Sequence, residues 1–320
     1  MHASGRPCLT LWDPTGIWPA FTASHRGNHL SLDARTLRPG DGHYPERLAR
    51  LADAPRELRV RGELGTAACS VALVGARATD EYGELLARDL AAGLARAGVS
   101  VISGGAAGVD GAAHRGALEA GGHTVAVLGT GVDVAYPAQN RALFARILES
   151  GGALVSELPD GSRGLPYHFP ARNRIIAALA DAVVVVRARQ GSGSLITASW
   201  ARAQGVKVFA VPGDVRDALS AGPLALLREG AAVAASAADV LAGLGLAAPA
   251  PVQATLPALD DRGSALLRAL GRRPRHADEL AREAGIPVGA ALAGLLTLEL
   301  EGLCEQRPGH YFLRRSREGI

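Results

Sequence analysis

Arginines, hydroxyls and glycines stand in this chain at places suited to gripping an anion. Arg77 follows an apolar run as Gly75-Ala76-Arg77. Arg172 and Arg174 lie in Phe169-Pro170-Ala171-Arg172-Asn173-Arg174, and Ser192, Gly193, Ser194 and Thr197 follow Gln190-Gly191. Gly104 and Gly105 follow Ser103. An arginine fork can hold two phosphate oxygens at once. Glycine lets the main chain approach a ligand closely, and a helix N-terminus offers unpaired N–H groups in a favourable dipole. Each glycine alone is as readily explained by a tight turn. Together the groups point to an anion-binding edge.

Such loops meet only if the strands before them run parallel, so that every strand C-terminus lies on one edge. That pattern begins at Cys69. Short β-branched runs at Val71–Val74, Val99–Ser103, Thr124–Leu128, Ala153–Ser156, Ala182–Val186 and Val206–Val211 alternate with helical stretches such as Glu81–Ala97. In that stretch Leu85, Leu86, Leu90 and Leu94 share a side, and Gly98 is the stop. The alternation predicts an α/β fold, a Rossmann-like doubly wound and mostly parallel sheet, over residues 69–246.

Residues 1–68 read as a partly irregular N-terminal extension: 1–42 have no period, and a short helical segment runs from Tyr44 to Leu58. Residues 247–260, rich in Ala and Pro, read as a linker. Residues 261–320 read as three helices, Arg262–Leu270, Ala277–Ala284 and Val288–Glu301, then a hairpin over Leu303–Leu313. That is the order of a small winged-helix-like domain, with an arbitrary helical bundle as the alternative.

Composition bounds the function classes. Hydrophobic residues at 48% and charged residues at 20% fit a soluble globular chain, and 320 residues suffice for a full α/β core. A net charge of +3 does not by itself demand a polyanion, but Lys207 is the only lysine and every other strong base is arginine. A GC-rich genome explains most of that bias, and arginine also suits phosphate. Cys8, Cys69 and Cys304 are odd in number and far apart, which argues against a disulfide framework or a zinc site and fits a reducing cytoplasm. There is no leader pattern, and no apolar run approaches the roughly 18–20 residues that span a bilayer. A cytoplasmic protein without a membrane partner is expected.

Catalytic candidates are sparse. The dinucleotide fingerprint is missing at Gly75-Ala76-Arg77-Ala78-Thr79, and the P-loop pattern is missing throughout. Asp110 and His114 sit four apart and share a helix face, as an acid–base pair or, more simply, as hydrogen bonds fixing the glycine loop. Glu157 reads as a loop-organising carboxylate beside the arginines rather than a general base. No metal set, cofactor site or nucleophile triad is read, so a non-enzyme is expected.

At these residues the chain resembles the DNA-processing protein A family (DprA, also called Smf) from about Tyr44 to Leu246. The likeness rests on Val74-Gly75-Ala76-Arg77 with Tyr82-Gly83, and on Ser103-Gly104-Gly105-Ala106-Ala107-Gly108-Val109-Asp110 with Ala113-His114. It continues through Gly131-Val132-Asp133, Tyr136-Pro137, Ser156-Glu157, Phe169-Pro170-Ala171-Arg172-Asn173-Arg174-Ile175-Ile176, Ser192-Gly193-Ser194-Leu195-Ile196-Thr197-Ala198 and Val211-Pro212-Gly213. The resemblance implies a dimer that binds single-stranded DNA, protects it and loads the RecA recombinase in natural transformation, with no cofactor and no catalytic step. It places the phosphate pocket on Arg77 and the Arg172–Arg174 block, with Phe169 available for base stacking. A C-terminal winged helix occurs in many members.

The chain departs from the family pattern in places. Pro166 stands where a basic residue is common, with Arg163 as a candidate substitute. Val186-Arg187-Ala188 replaces the usual Val-Glu-Ala and adds positive charge to the edge. Gly222-Pro223-Leu224 replaces a glycine-asparagine feature.

Two other readings compete. A nucleotide-processing hydrolase of a related Rossmann-like group would need a catalytic Glu after its glycine loop, and Gly191–Thr197 has no such acid. A duplex-DNA regulator would need base-reading side chains on the third C-terminal helix, and Val288–Glu301 is mostly Ala, Leu and Gly. In that domain Arg272, Arg273 and Arg275 form the one basic cluster.

Overall fold

Strands buried on both faces need apolar residues at every position, and the β-branched runs supply them. The computed structural model describes residues 34–65, 67–247, 260–271 and 273–314. Cys8, most of the linker and Arg272, all singled out above, lie outside the described residues. The first part of the chain runs β1 (Arg35–Leu37), α1 (Glu46–Ala49), β2 (Leu58–Gly62), β3 (Ser70–Val74), α2 (Glu81–Arg96), β4 (Ser100–Ser103), α3 (Val109–Glu119) and β5 (Thr124–Val127). It continues α4 (Arg141–Glu149), β6 (Ala153–Ser156), α5 (His168–Leu179), β7 (Ala182–Val185), α6 (Gly193–Ala203), β8 (Lys207–Ala210), α7 (Ala221–Arg228), β9 (Ala232–Val233) and α8 (Ala237–Gly243).

These strands form one sheet in the order β1-β2-β6-β5-β4-β3-β7-β8-β9. All pairings from β6 to β9 are parallel; β1 and β2 are antiparallel additions at one edge. Side chains alternate between two cores. Ala72, Val74, Val183 and Val185 face one, and Val71, Leu73, Ala182 and Val184 face the other. The chain leaves β3 outward through β4, β5 and β6, then returns to lay β7 on the other side of β3. A doubly wound α/β sheet opens its ligand crevice at such a reversal.

The sequence reading starts this domain at Cys69, but the structure carries the same sheet and core back to Arg35. Leu37, Tyr44, Leu48, Leu58 and Val60 are buried in the first core. The Tyr44 hydroxyl donates to the Pro55 carbonyl at 2.8 Å. Only Glu46–Ala49 of the expected helical segment is helix, and Leu58 begins a strand.

Two compact units are present, Met1–Ala248 and Pro249–Ile320. The second contains α9 (Asp261–Ala269), β10 (Arg275–His276), α10 (Ala277–Ala284), α11 (Val288–Leu300), β11 (Cys304–Arg307) and β12 (Tyr311–Arg314). Its three strands pair as β10-β12-β11, with β10 an element the sequence reading lacked. Gly285 ends α10 in the left-handed conformation, φ 70°. Leu266, Leu280, Leu295, Leu298 and Phe312 fill this unit's own core. Among the described residues no single helix is long and apolar enough to cross a membrane.

Candidate nucleic-acid interface

A cleft of about 730 Å³ opens at the β3/β7 reversal. Its walls are the loop after β3 (Gly75, Ala76, Arg77), the loop after β7 (Arg189 to Ser192) and the first turns of α5 and α6. α6 begins with Ser192 as its N-cap, extended at φ −63° and ψ 145°, and no side chain caps its first turn. Main-chain N–H groups at that end are therefore available to an anion. Gly193 has nothing within 4 Å of where a Cβ would stand, so the approach to the helix end is open. Ser192 and Ser194 share a hydroxyl–hydroxyl hydrogen bond of 2.9 Å, and Thr197 is buried one turn further on.

Arg77 and Arg189 flank this helix end. Both are exposed, and neither guanidinium is held in an ion pair among the described residues. The Arg77 guanidinium carbon lies 4.9 Å from the centroid of the Phe169 ring, a cation–π contact. Tyr136 approaches the same ring at 5.2 Å, tilted by 40°. Phe169 is half-buried, with ring atoms close to where Cβ atoms on Gly129 and Gly164 would stand. It lies in the first turn of α5.

Arg172 lies beneath the cleft, 5% exposed. One of its nitrogens donates to the carbonyls of Gly104 and Val127, fastening the ends of β4 and β5 together. Another stands 3.9 Å from the Asp110 carboxylate. Burial lowers the Arg172 guanidinium to about 10, with Asp110 opposing the shift. Burial raises the Asp110 carboxyl above the usual carboxylate range, opposed chiefly by Arg172. Asp110 also accepts from the Ala106 N–H at 3.3 Å, the loop-fixing bond that the sequence suggested. Asn140 braces the same loop, donating to Gly105 and Ala106.

His114 takes no part with Asp110. Thr124 spends its hydroxyl proton on the Val101 carbonyl, so it accepts from His114 Nδ1–H at 2.7 Å. Nε2 then carries the lone pair and is buried without a partner among the described residues. Burial accordingly pushes this imidazole down to about 3.

Several expected site residues also hold, or only hold, contacts within the fold. Arg174 faces away from the cleft, clamped by Glu157 at 2.7 Å and Asp53 at 2.8 Å. The hydrogen bonds it donates to Glu157 hold its guanidinium above the ordinary range. Gly104 is required because a Cβ there would stand 2.3 Å from the Arg172 guanidinium, and Gly105, at φ 67°, packs on Phe144. Neither lines the cleft. Gly75 lines it, but a Cβ there would also collide with Val109 at 2.6 Å. Asn173 ties α5 to α6 by donating to the Gly193 carbonyl at 3.0 Å. Arg187 adds no free charge to the edge: it is 4% exposed and paired with Asp80 and Asp217. Arg189 and Asn140 escaped the sequence reading, and Tyr136 entered it only as part of the family motif. Arg189 could have been found, since it follows a strand on the ligand edge.

The profile of the family described as DNA recombination-mediator protein A matches residues 35–245, and that of the DprA winged helix domain matches residues 247–310. The chain belongs to the DNA recombination-mediator protein A family. A putative DNA processing protein DprA of Mycobacterium tuberculosis is 45% identical over 256 residues, 78% of this chain and 66% of that protein. The chain thus spans just under two thirds of that relative's length. The Escherichia coli protein Smf is 40% identical over 88% of this chain and 78% of its own. The crystal structure of DprA from Streptococcus pneumoniae superposes with a TM-score of 0.62 at 42% identity, covering 65% of this chain and 74% of that one. A Helicobacter pylori DprA structure, described for its single-stranded DNA binding mode, superposes at 0.60 with 29% identity, covering 67% and 96%.

The C-terminal unit is the family's winged helix. Its α11 buries Ala291, Leu295 and Leu298 and exposes Leu296 and Leu300, and it carries no Arg, Asn or Gln to read base edges. Of its basic cluster, Arg275 is paired with Glu283 at 2.7 Å.

Proposed function

We propose that this chain binds single-stranded DNA in the β3/β7 cleft, protects it, and as a homodimer delivers it to the RecA recombinase during transformation and recombination. One observation carries the DNA-binding part. Two exposed, unpaired arginines, Arg77 and Arg189, flank an open helix N-terminus beside the Phe169–Tyr136 aromatic pair. Cations and main-chain N–H groups take phosphates, and aromatic faces take bases without regard to sequence. The H. pylori relative is described for single-stranded DNA binding, which supports the same class of ligand. Gly75, Ser192, Gly193, Ser194 and Thr197 shape the anion end of the cleft, while Arg172 and Asn173 hold its floor.

The protein performs no bond-making step in this reading. Asp110 is the one carboxylate among the described lining residues, and it is committed to Ala106 and Arg172. Delivery to the recombinase and the homodimer rest on family membership. Photo-crosslinking with a 5-iodouracil-substituted oligonucleotide tests the cleft. Adducts should fall on peptides carrying Tyr136 or Phe169. Adducts confined to the C-terminal unit would overturn the assignment.

A further inference from the structure

Among the segments that line the cleft are those after β3, β7 and β8, and one buried side chain joins these three. Arg187 stands two residues after the end of β7, its side chain 4% exposed. It donates to Asp80 at 2.9 Å, to Asp217, and to the Ser220 hydroxyl at 3.0 Å. Asp80 is the N-cap of α2 and accepts from the Gly83 N–H at 2.9 Å, so the loop bearing Arg77 ends on it. Asp217 accepts from the Leu219 N–H at 2.8 Å, and Leu219 lines the cleft. The main chain repeats the tie: the Arg187 carbonyl accepts from Ala76 N–H at 2.6 Å, and Ala188 N–H donates to Leu219 at 2.7 Å. Two residues beyond Arg187 stands Arg189.

We propose that Arg187 is a positioning residue for DNA binding, setting the separation and reach of Arg77 and Arg189 through the loops it knots together. This rests on the single-stranded DNA reading above. A buried ion pair is a weak source of stability, because desolvation offsets most of its Coulomb attraction. What three bonds from one planar guanidinium do supply is fixed geometry. Asp80 and Asp217 are 49% and 34% exposed, so water can satisfy them if Arg187 is removed. Removing the knot together with one of its carboxylates is therefore expected to spare folding and to alter the relation between the loops.

The test is the double variant Arg187→Met/Asp217→Asn, in which one carboxylate remains and the net charge of the cluster is unchanged. Full-length protein is titrated with an oligothymidylate across salt concentrations, beside thermal melting and hydrogen exchange. Positioning predicts a melting temperature near wild type and faster exchange at Ala76. Affinity should fall about tenfold, the effect of removing one charged hydrogen bond, and the salt slope should shrink by about 0.7. Arg187→Lys, which keeps the charge and part of the bonding, should fall between. Ser220→Ala, which spares both ion pairs, gives a milder version should the double variant not fold. Wild-type affinity and slope in a folded double variant overturn the proposal. So does an affinity loss that merely tracks the melting temperature with the slope intact. If the wild type itself fails to bind, the single-stranded DNA reading falls instead, and exchange at Ala76 still decides whether Arg187 sets the loop.

Discussion

Arg77 is exposed against the Phe169 ring, whereas Arg174, which loop composition groups with it, is clamped between Glu157 and Asp53. Equal charge therefore predicts unequal effects. Arg77→Ala should cost roughly 1.5–3 kcal/mol of DNA affinity and little stability. Arg174→Ala should cost roughly 1–3 kcal/mol in urea unfolding, by orphaning Glu157, and leave the affinity of the folded protein unchanged. Paired titration and unfolding curves check this, and a reversed pattern contradicts it. Phe169 backs Arg77 and offers the remaining face to a base. Phe169→Leu should lose roughly 1–3 kcal/mol of affinity at a similar melting temperature. Trp should overpack against Gly129 and Gly164 and lower the melting temperature. A Leu variant that binds like wild type would make the ring a plug only.

His114, near 3 when folded and 6.5 when unfolded, takes up its proton more readily in the unfolded chain. Its contribution is thus complete above pH 6.5 and is lost as pH falls toward 3. The acid limb of stability in His114→Gln should be flatter between pH 6.5 and 5, above most carboxylate titration. An unchanged limb in that window would show the imidazole to be unperturbed.

At the scale of elements, α2 and α3 pack closely enough that a Cβ on Gly116 would stand 2.1 Å from the Arg88 carbonyl oxygen. Gly116→Ala should therefore destabilise by roughly 1–3 kcal/mol despite its better helix propensity, a comparison that denaturant unfolding makes directly. The central strands were legible because covered faces leave a continuous apolar signature, as in Val183, Val184 and Val185. β2 was not: Leu58 and Val60 alternate with Arg59 and Arg61, and its one buried face gives too short a pattern. The start of α5 was hidden by Pro170, which a first helical turn tolerates because the N–H it lacks would have no intrahelical partner there. That boundary decides where Arg174 points. Two positions along a helix turn by about 200°, so Arg172 and Arg174 had to point to opposite sides once the segment was helical. The anion edge was readable from loop composition; which arginine was free depended on partners far away in sequence, such as Asp53 and Asp217.

Taken whole, the molecule has little net charge, so affinity must come from a few placed cations rather than from a broad field. The winged-helix unit carries no Arg, Asn or Gln on α11. The central claim is that the β3/β7 cleft grips the phosphates of an unpaired strand. The most direct test is binding of the full-length protein to matched single-stranded and duplex oligonucleotides over a salt series. Two arginine–phosphate contacts on a single strand predict that log K falls with log salt at a slope of about −1.4 or steeper, with duplex bound more weakly throughout. Equal affinity for duplex, or a response flat in salt, would contradict the account.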